Sequence, residues 1–270
     1  MYNYLLRRPT ASDDKYSRGV VGFITGSDEF VGAAILGVTA AIRTGAGMVR
    51  YLGSDSVFKY VVEARPEVIK LPGRVQSWVV GSGVASSATN QLNAIQEIFQ
   101  AGTNEVLIVD AGALDLIGQN FNRSKFTILT PHEGEARRLL ERLGVSGVDQ
   151  LSRNLLATQI NQITGCTVLL KGNRSLIATT HELIELPASP TELASAGTGD
   201  VLAGILGALG AINHDDLVAG KIQVKDLIGA AVLVHGLAAE KASANGPLAA
   251  LDLANAVSEA IVQIREESAE

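Results

Sequence analysis

The sequence predicts an α/β fold: a central, mostly parallel sheet with helices on both faces. Three observations carry this. Strand-like and helix-like segments alternate along the chain. Most strand-like segments are continuous apolar runs, the pattern of strands covered on both faces rather than one. Gly, Asp, Pro or Lys repeatedly stands just past a strand end, where open α/β sheets bind their ligands.

The elements follow in order. Residues 20–25 (V-V-G-F-I-T) read as a buried strand ended by Gly26-Ser27. Residues 32–44 are Ala-rich with Ile35, Leu36 and Ile42, so a helix packed closely on the sheet and stopped by Gly45-Ala46-Gly47. Strands are predicted over 48–53, 68–71 and 78–80, the last ended by Gly81-Ser82-Gly83. A helix over 88–100 precedes a strand over 106–109 that ends in Asp110. A strand over 126–129 ends in Thr130-Pro131, and helices cover 135–143 and 150–163. Short strands at 168–170, 176–178 and 183–186 are separated by polar turns. Three helices close the chain at about 198–211, 225–243 and 249–265, with residues 265–270 a frayed, solvated end. No linker, repeat or low-complexity tract interrupts this order, so residues 1–270 read as one domain.

Composition narrows the function classes. The chain is 47% hydrophobic, enough for a large core, and only 4% aromatic. Its net charge of −6 and lack of a basic tract argue against nucleic acid or an anionic membrane as partner. Cys166 is the single cysteine, which fits a reducing cytoplasm, and its place before an apolar strand makes it a small core residue rather than a nucleophile. The start carries no apolar signal segment, and no apolar stretch is long enough to span a bilayer.

The most informative stretch is Gly197-Thr198-Gly199-Asp200, leading into an apolar helix. Glycines there let the backbone turn its N–H groups toward one point, and the helix dipole adds positive potential. Together they make an anion site, with Asp200 placed as a base for phosphoryl transfer. The plain alternative is an acidic residue stabilising a first helical turn. Lys171-Gly172-Asn173 follows a strand and is either a phosphate-contacting lysine or an exposed turn. Thr130-Pro131-His132-Glu133-Gly134-Glu135 opens a helix; its spacing is not that of a zinc helix, and water-mediated magnesium beside a phosphate, helped by Glu135, fits better. His235, inside an apolar helix, reads as a hydrogen-bonded core histidine rather than a catalyst.

Taken together, G-S-D-x-x-x-G-A-A, G-A-G-M-V, G-S-G-V, V-D-A-G-A-L, T-P-H-x-G-E, L-L-K-G-N, A-x-x-G-T-G-D-V-L-A-G and V-H-G-x-A resemble the ADP-dependent NAD(P)H-hydrate dehydratase family, from about Val20 to Lys241. The resemblance implies a ribokinase-like fold and repair of the hydrated, inactive nicotinamide cofactor. ADP (or ATP) would phosphorylate the ring hydroxyl with magnesium present, and phosphate would leave. It implies Asp200 as base and hydrate contact, and the backbone of Ala196, Gly197, Thr198 and Gly199 as the phosphoryl cradle. It assigns Lys171, Gly172, Asn173, Arg174, Ser175 and Gly199 to the nucleotide, and Ala33, Gly83 and His132 to the hydrate. Glu135 becomes the magnesium-linked acid. A homo-oligomer, a tetramer, is implied too, while the separate N-terminal epimerase domain of many relatives is not expected here.

Three departures stand out. Glu133 replaces a common proline, Gly81-Ser82-Gly83 stands where G-P-G is usual, and 14–19 match the family's entry motif loosely. The second reading is a vitamin-precursor kinase of the same fold; such kinases often carry T-P-N-x-x-E, so His132 in place of Asn favours the dehydratase. The third is a nucleotide-binding module without turnover.

Overall fold

The computed structural model describes residues 2–102, 104–118, 124–244 and 246–267. Its eight strands form one sheet in the order β2-β1-β3-β4-β5-β6-β7-β8. These are β1 (Val20–Ile24), β2 (Met48–Tyr51), β3 (Ser77–Val80), β4 (Val106–Val109), β5 (Thr127–Leu129), β6 (Thr167–Leu170), β7 (Arg174–Ala178) and β8 (Leu183–Ala188). The first six run parallel; β7 turns back antiparallel to β6, and β8 pairs antiparallel with β7. The predicted α/β class is therefore what the chain adopts.

Helices cover both faces. Against one lie α1 (Val31–Thr44), α2 (Asp55–Ala64), α6 (Thr198–Ile212), α8 (Val224–Ser243) and α9 (Ala250–Glu267). Against the other lie α3 (Thr89–Ala101), α4 (Glu133–Arg142) and α5 (Arg153–Thr164). Successive strand residues point to opposite sides. Ile108 thus joins the first core while Leu107 and Val109 join the second. Both sides are dry, which is why these strands read as unbroken apolar runs.

Helix α6 is apolar all round and buried along nearly its whole length. Its glycines set its depth. A Cβ at Gly207 would lie 2.3 Å from Val79 Cγ2, and one at Gly204 only 2.1 Å from the Gly37 carbonyl oxygen on α1. So α6 lies directly on the sheet and α1 lies directly on α6, backbone to backbone.

Several boundaries differ from expectation. Residues 68–71 are not a strand; they make a single parallel bridge, Arg50 to Ile69. Pro72 cannot donate to a ladder, and the Arg50 guanidinium binds the carbonyls of Leu71, Pro72 and Arg74. Helix α2 was not anticipated, although Ser54 caps it and Val57 and Val61 bury one face. The short α7 (His214–Val218) was missed as well. Helix α5 starts at Arg153, where Ser152 caps it, rather than at residue 150. Of the expected frayed tail, residues up to 267 continue α9, and 268–270 lie outside the described residues. Among the described residues no helix is long and apolar enough to cross a membrane.

Candidate active site

Strand ends bring the expected residues together. Lys171 directly follows β6, and its N–H donates to the Pro131 carbonyl (2.8 Å), tying the exits of β5 and β6. Its Nζ reaches back to Asp110 Oδ1, just past β4, at 2.6 Å. The other contacts of that carboxylate are hydroxyls: Thr130 Oγ1 donates at 2.8 Å and Ser82 Oγ at 2.9 Å. Glu135 Oε2 lies 4.0 Å from the same ammonium. Opposite it begins α6: a Cβ on Gly199 would stand 3.6 Å from Lys171 Nζ.

The charges are strongly coupled. Burial alone would push Asp110 up, but the Lys171 charge and three hydrogen bonds hold it below the ordinary carboxylate range. Burial likewise works against the Lys171 ammonium, and Asp110 and Glu135 more than restore it, so it stays charged. Asp200 goes the other way. Burial, then the negative Asp110, push its carboxyl up to about 7, with Lys171 pulling back. A carboxylate poised near neutrality is what a general base requires.

The helix start presents free backbone N–H groups. Gly197 caps α6 in the left-handed region (φ 90°), and a side chain there would strike Leu36 and Ala250. Thr198, Gly199 and Asp200 form the first turn, whose N–H groups have no carbonyl partner within the helix. Thr198 Oγ1 donates to the Leu193 and Ser195 carbonyls, both at 2.9 Å, fixing the turn that carries Ala196. His235, on α8, donates from Nε2 to the Thr198 carbonyl at 2.9 Å. Burial drives its pKa down to about 4, so the ring is neutral. It is the bonded core histidine expected, with one face on the pocket.

That pocket, about 400 Å³, is lined by Lys171, Gly172, Asn173, Ser175 and Gly199, with Pro190, Leu202 and Val232 as apolar wall. Asn173 and Ser189 are joined by two 2.8 Å bonds that set its mouth. Arg174, the remaining residue of this group, points outward to Glu185 (3.6 Å) instead of lining the cavity. Arg153, which sequence reasoning missed, donates to the carbonyls of Lys171 and Arg174 and braces the loop.

Of the expected hydrate positions, Gly83 and Ala33 meet, while His132 bonds within its own helix start. Gly83 has φ 65°, and a Cβ on it would lie 2.4 Å from the Ala33 methyl. The next turn of α1 holds Gly37, where a Cβ would be 3.3 Å from the Asp200 carbonyl. His132 caps α4: its Nδ1 accepts from Gly134 N at 3.0 Å, while Glu135 Oε2 accepts from His132 N at 2.8 Å. His132 Nε2 faces Glu135 Oε1 at 3.4 Å.

Among the described residues no group of three His, Cys, Asp or Glu side chains gathers as a metal cage. The acids around Lys171 instead suit magnesium carried in by polyphosphate oxygens and waters. Glu135 would face such an ion through water.

Comparison with known proteins places this geometry. A family profile described as NAD(P)H-hydrate dehydratase matches residues 21–262. The chain is 39% identical over 211 residues to the bifunctional NAD(P)H-hydrate repair enzyme of Mycobacterium tuberculosis, covering 74% of this chain and 42% of that protein. The chain thus spans less than half the length of that relative. It is 30% identical over 279 residues to the ADP-dependent (S)-NAD(P)H-hydrate dehydratase of Neisseria meningitidis, covering 98% of this chain and 90% of that one. The ADP/ATP-dependent NAD(P)H-hydrate dehydratase of Bacillus subtilis, co-crystallised with ATP and Mg2+, superposes with a TM-score of 0.78 at 23% identity, over 97% of each chain. Its likeness and that of an Enterococcus faecalis ribokinase-like protein (TM-score 0.80, 20% identity) establish the fold as ribokinase-like. With the profile spanning nearly the whole chain, the protein belongs to the NAD(P)H-hydrate dehydratase family.

Proposed function

We propose that this protein restores NADH or NADPH from the 6-hydroxy hydrate, consuming ADP and giving AMP and phosphate. The observation that carries this reading is the place of Asp200, near-neutral in pKa, at the start of a helix whose free N–H groups face the same site as Lys171. The Asp200 carboxylate takes the proton of the hydrate hydroxyl. That oxygen attacks the terminal phosphorus of ADP, and AMP leaves. The first-turn N–H groups of α6 and the cradle before it, from Ala196 to Gly199, hold the transferring oxygens, with Lys171 beside them. The ring nitrogen lone pair then expels phosphate from the neighbouring carbon. Loss of a proton from the next ring carbon restores the double bond. Hydroxide is a poor leaving group and phosphate a good one, which explains the use of a nucleotide. Magnesium, held by the phosphates with Glu135 acting through water, neutralises charge on the polyphosphate when bound.

Lys171, Gly172, Asn173 and Ser175 hold the nucleotide in this reading, with Arg174 at its outer rim. Ala33, Gly83 and His132 face the hydrate. The Neisseria relative supports ADP, and the Bacillus protein supports either nucleotide. We include a homo-oligomer, a tetramer, in the proposal; light scattering on the purified protein tests it. A cytoplasmic setting agrees with a chain whose single cysteine, Cys166, is buried. The deciding assay incubates the protein with the hydrates and ADP or ATP and follows recovery of reduced-nicotinamide absorbance. Recovery supports the reading. Phosphorylation of a thiazole or pyridoxal alcohol without recovery would replace it with a kinase.

A further inference from the structure

A cavity of about 740 Å³ lies outside the site above. It opens where the loops after β1 and β3 part. There the sheet order reverses: β1 is followed in sequence by β2 on one side and pairs with β3 on the other. Such a switch point is the crevice where doubly wound sheets hold dinucleotides.

A chain of contacts and short sequence steps leads from the residues around Lys171 to the cavity wall. Lys171 bonds Asp110, and Asp110 bonds Ser82, the neighbour of Gly83. A Cβ on Gly83 would lie 2.4 Å from Ala33 and 3.1 Å from Phe30, and Phe30 follows Ser27-Asp28-Glu29 on the cavity wall. The wall carries three carboxylates, Asp28, Glu29 and Asp55, against one lysine, Lys70, which already pairs with Asp55. Ser56 Oγ donates to Asp28, and Ser87 Oγ donates to Glu29 at 3.0 Å. Ser27 also lines the cavity. It is 4% exposed, yet its Oγ has no hydrogen-bond partner among the described residues. A buried hydroxyl of this kind is free to bond a ligand's polar group or a water.

We propose that this cavity takes the adenosine ribose of the hydrate and makes the protein selective for NADH hydrate over NADPH hydrate. The inference rests on the dehydratase reading. With the nicotinamide at Asp200, the rest of a dinucleotide passes over the small Ala33–Gly83 shelf and beside Phe30, which is 54% exposed. Carboxylates accept hydrogen bonds from a ribose 2′-hydroxyl, whereas a 2′-phosphate requires an arginine or lysine. Here a 2′-phosphate would meet a wall with two uncompensated negative charges.

The test compares kcat/KM for the two hydrates at fixed ADP. NADH hydrate should be favoured by at least tenfold, through KM, because the 2′-phosphate is remote from the reacting hydroxyl. Added salt should narrow the gap. Asp28→Lys, at an exposed position, should move the ratio toward NADPH hydrate by tenfold or more, and Glu29→Lys is the second variant. Binding of unmodified NADH and NADPH, followed by nicotinamide fluorescence, gives the same comparison without turnover. Equal use of both hydrates, a preference for NADPH hydrate, or a ratio unmoved in both variants would overturn the inference and leave the dehydratase reading standing. Turnover of neither hydrate would remove that reading, and equal binding of NADH and NADPH would then remove the inference.

Discussion

Asp200→Asn separates the chemistry of one carboxyl from its cost to folding. The wild-type carboxyl titrates near 7. It is then about one-tenth ionised at pH 6 and about nine-tenths at pH 8, so kcat/KM should rise roughly tenfold between them. Stability should move oppositely. The native pKa lies about three units above an ordinary aspartate, so the native state holds its proton over a range where the unfolded chain has released it. Stability is fully present below about pH 4 and is lost as pH rises through 7, on the order of 4 kcal/mol in all. Asparagine removes both effects. Turnover should fall by about 10²–10⁴, and Tm at pH 8 should rise by several degrees, since about 1 kcal/mol moves Tm roughly 2–4 °C in a chain this size. The assays are cofactor rescue and calorimetry, each from pH 5.5 to 8.5. A variant with near-wild-type turnover, or a wild-type profile flat from pH 6 to 8, would refute the base assignment. No gain in Tm at pH 8 would refute the electrostatic account.

Other perturbations follow from the same geometry. Lys171→Ala should weaken nucleotide affinity and, by leaving the buried Asp110 unpaired, cost about 3–5 kcal/mol in denaturant titration; unchanged affinity for ADP would remove Lys171 from the site. Gly204→Leu should abolish soluble folding or lower Tm steeply, because its Cβ would meet the Gly37 carbonyl at 2.1 Å and neither backbone can yield; a Tm within a few degrees of wild type would contradict the close packing of α1 and α6. His235 is buried neutral with a pKa of about 4 against about 6.5 unfolded. Its contribution is present above pH 6.5 and is lost as pH falls toward 4, about 3 kcal/mol in total. His235→Gln should therefore flatten that part of the stability profile, and an unchanged slope would be the contrary result.

Much of this architecture was legible from local pattern. β1, β3 and β4 are buried on both sides, and their unbroken apolar runs say so. Residues 68–71, apolar but for Lys70, misled, because the deciding partner is a guanidinium 21 residues upstream of Leu71 that claims the carbonyls. Helix α2 was readable from Ser54, Asp55 and the Val57–Val61 spacing, but its surface-facing residues hid the period. In the site, Gly197-Thr198-Gly199-Asp200 and Lys171 are singled out by the order of motifs that resembles the family, while the residues alone leave a helix start and an exposed turn open. Asp110 stood out only as a strand end. Its role depends on Ser82, Thr130 and Lys171, which are 28, 20 and 61 residues away and converge only through the parallel strand order. Arg153 gave no sequence signal, since it acts through backbone carbonyls.

The glycine-backed contact between α1 and α6 turns two helices into a single slab. Ala33 rides on one and Asp200 on the other, so thermal motion carries shelf and base together and the gap between them keeps its width. Whatever yields to admit or release a ligand belongs to the opposite wall, the half-exposed β8 edge and the Pro190 turn. The fold is most tightly backed where α1 and α6 meet and most open to solvent along the β8 edge.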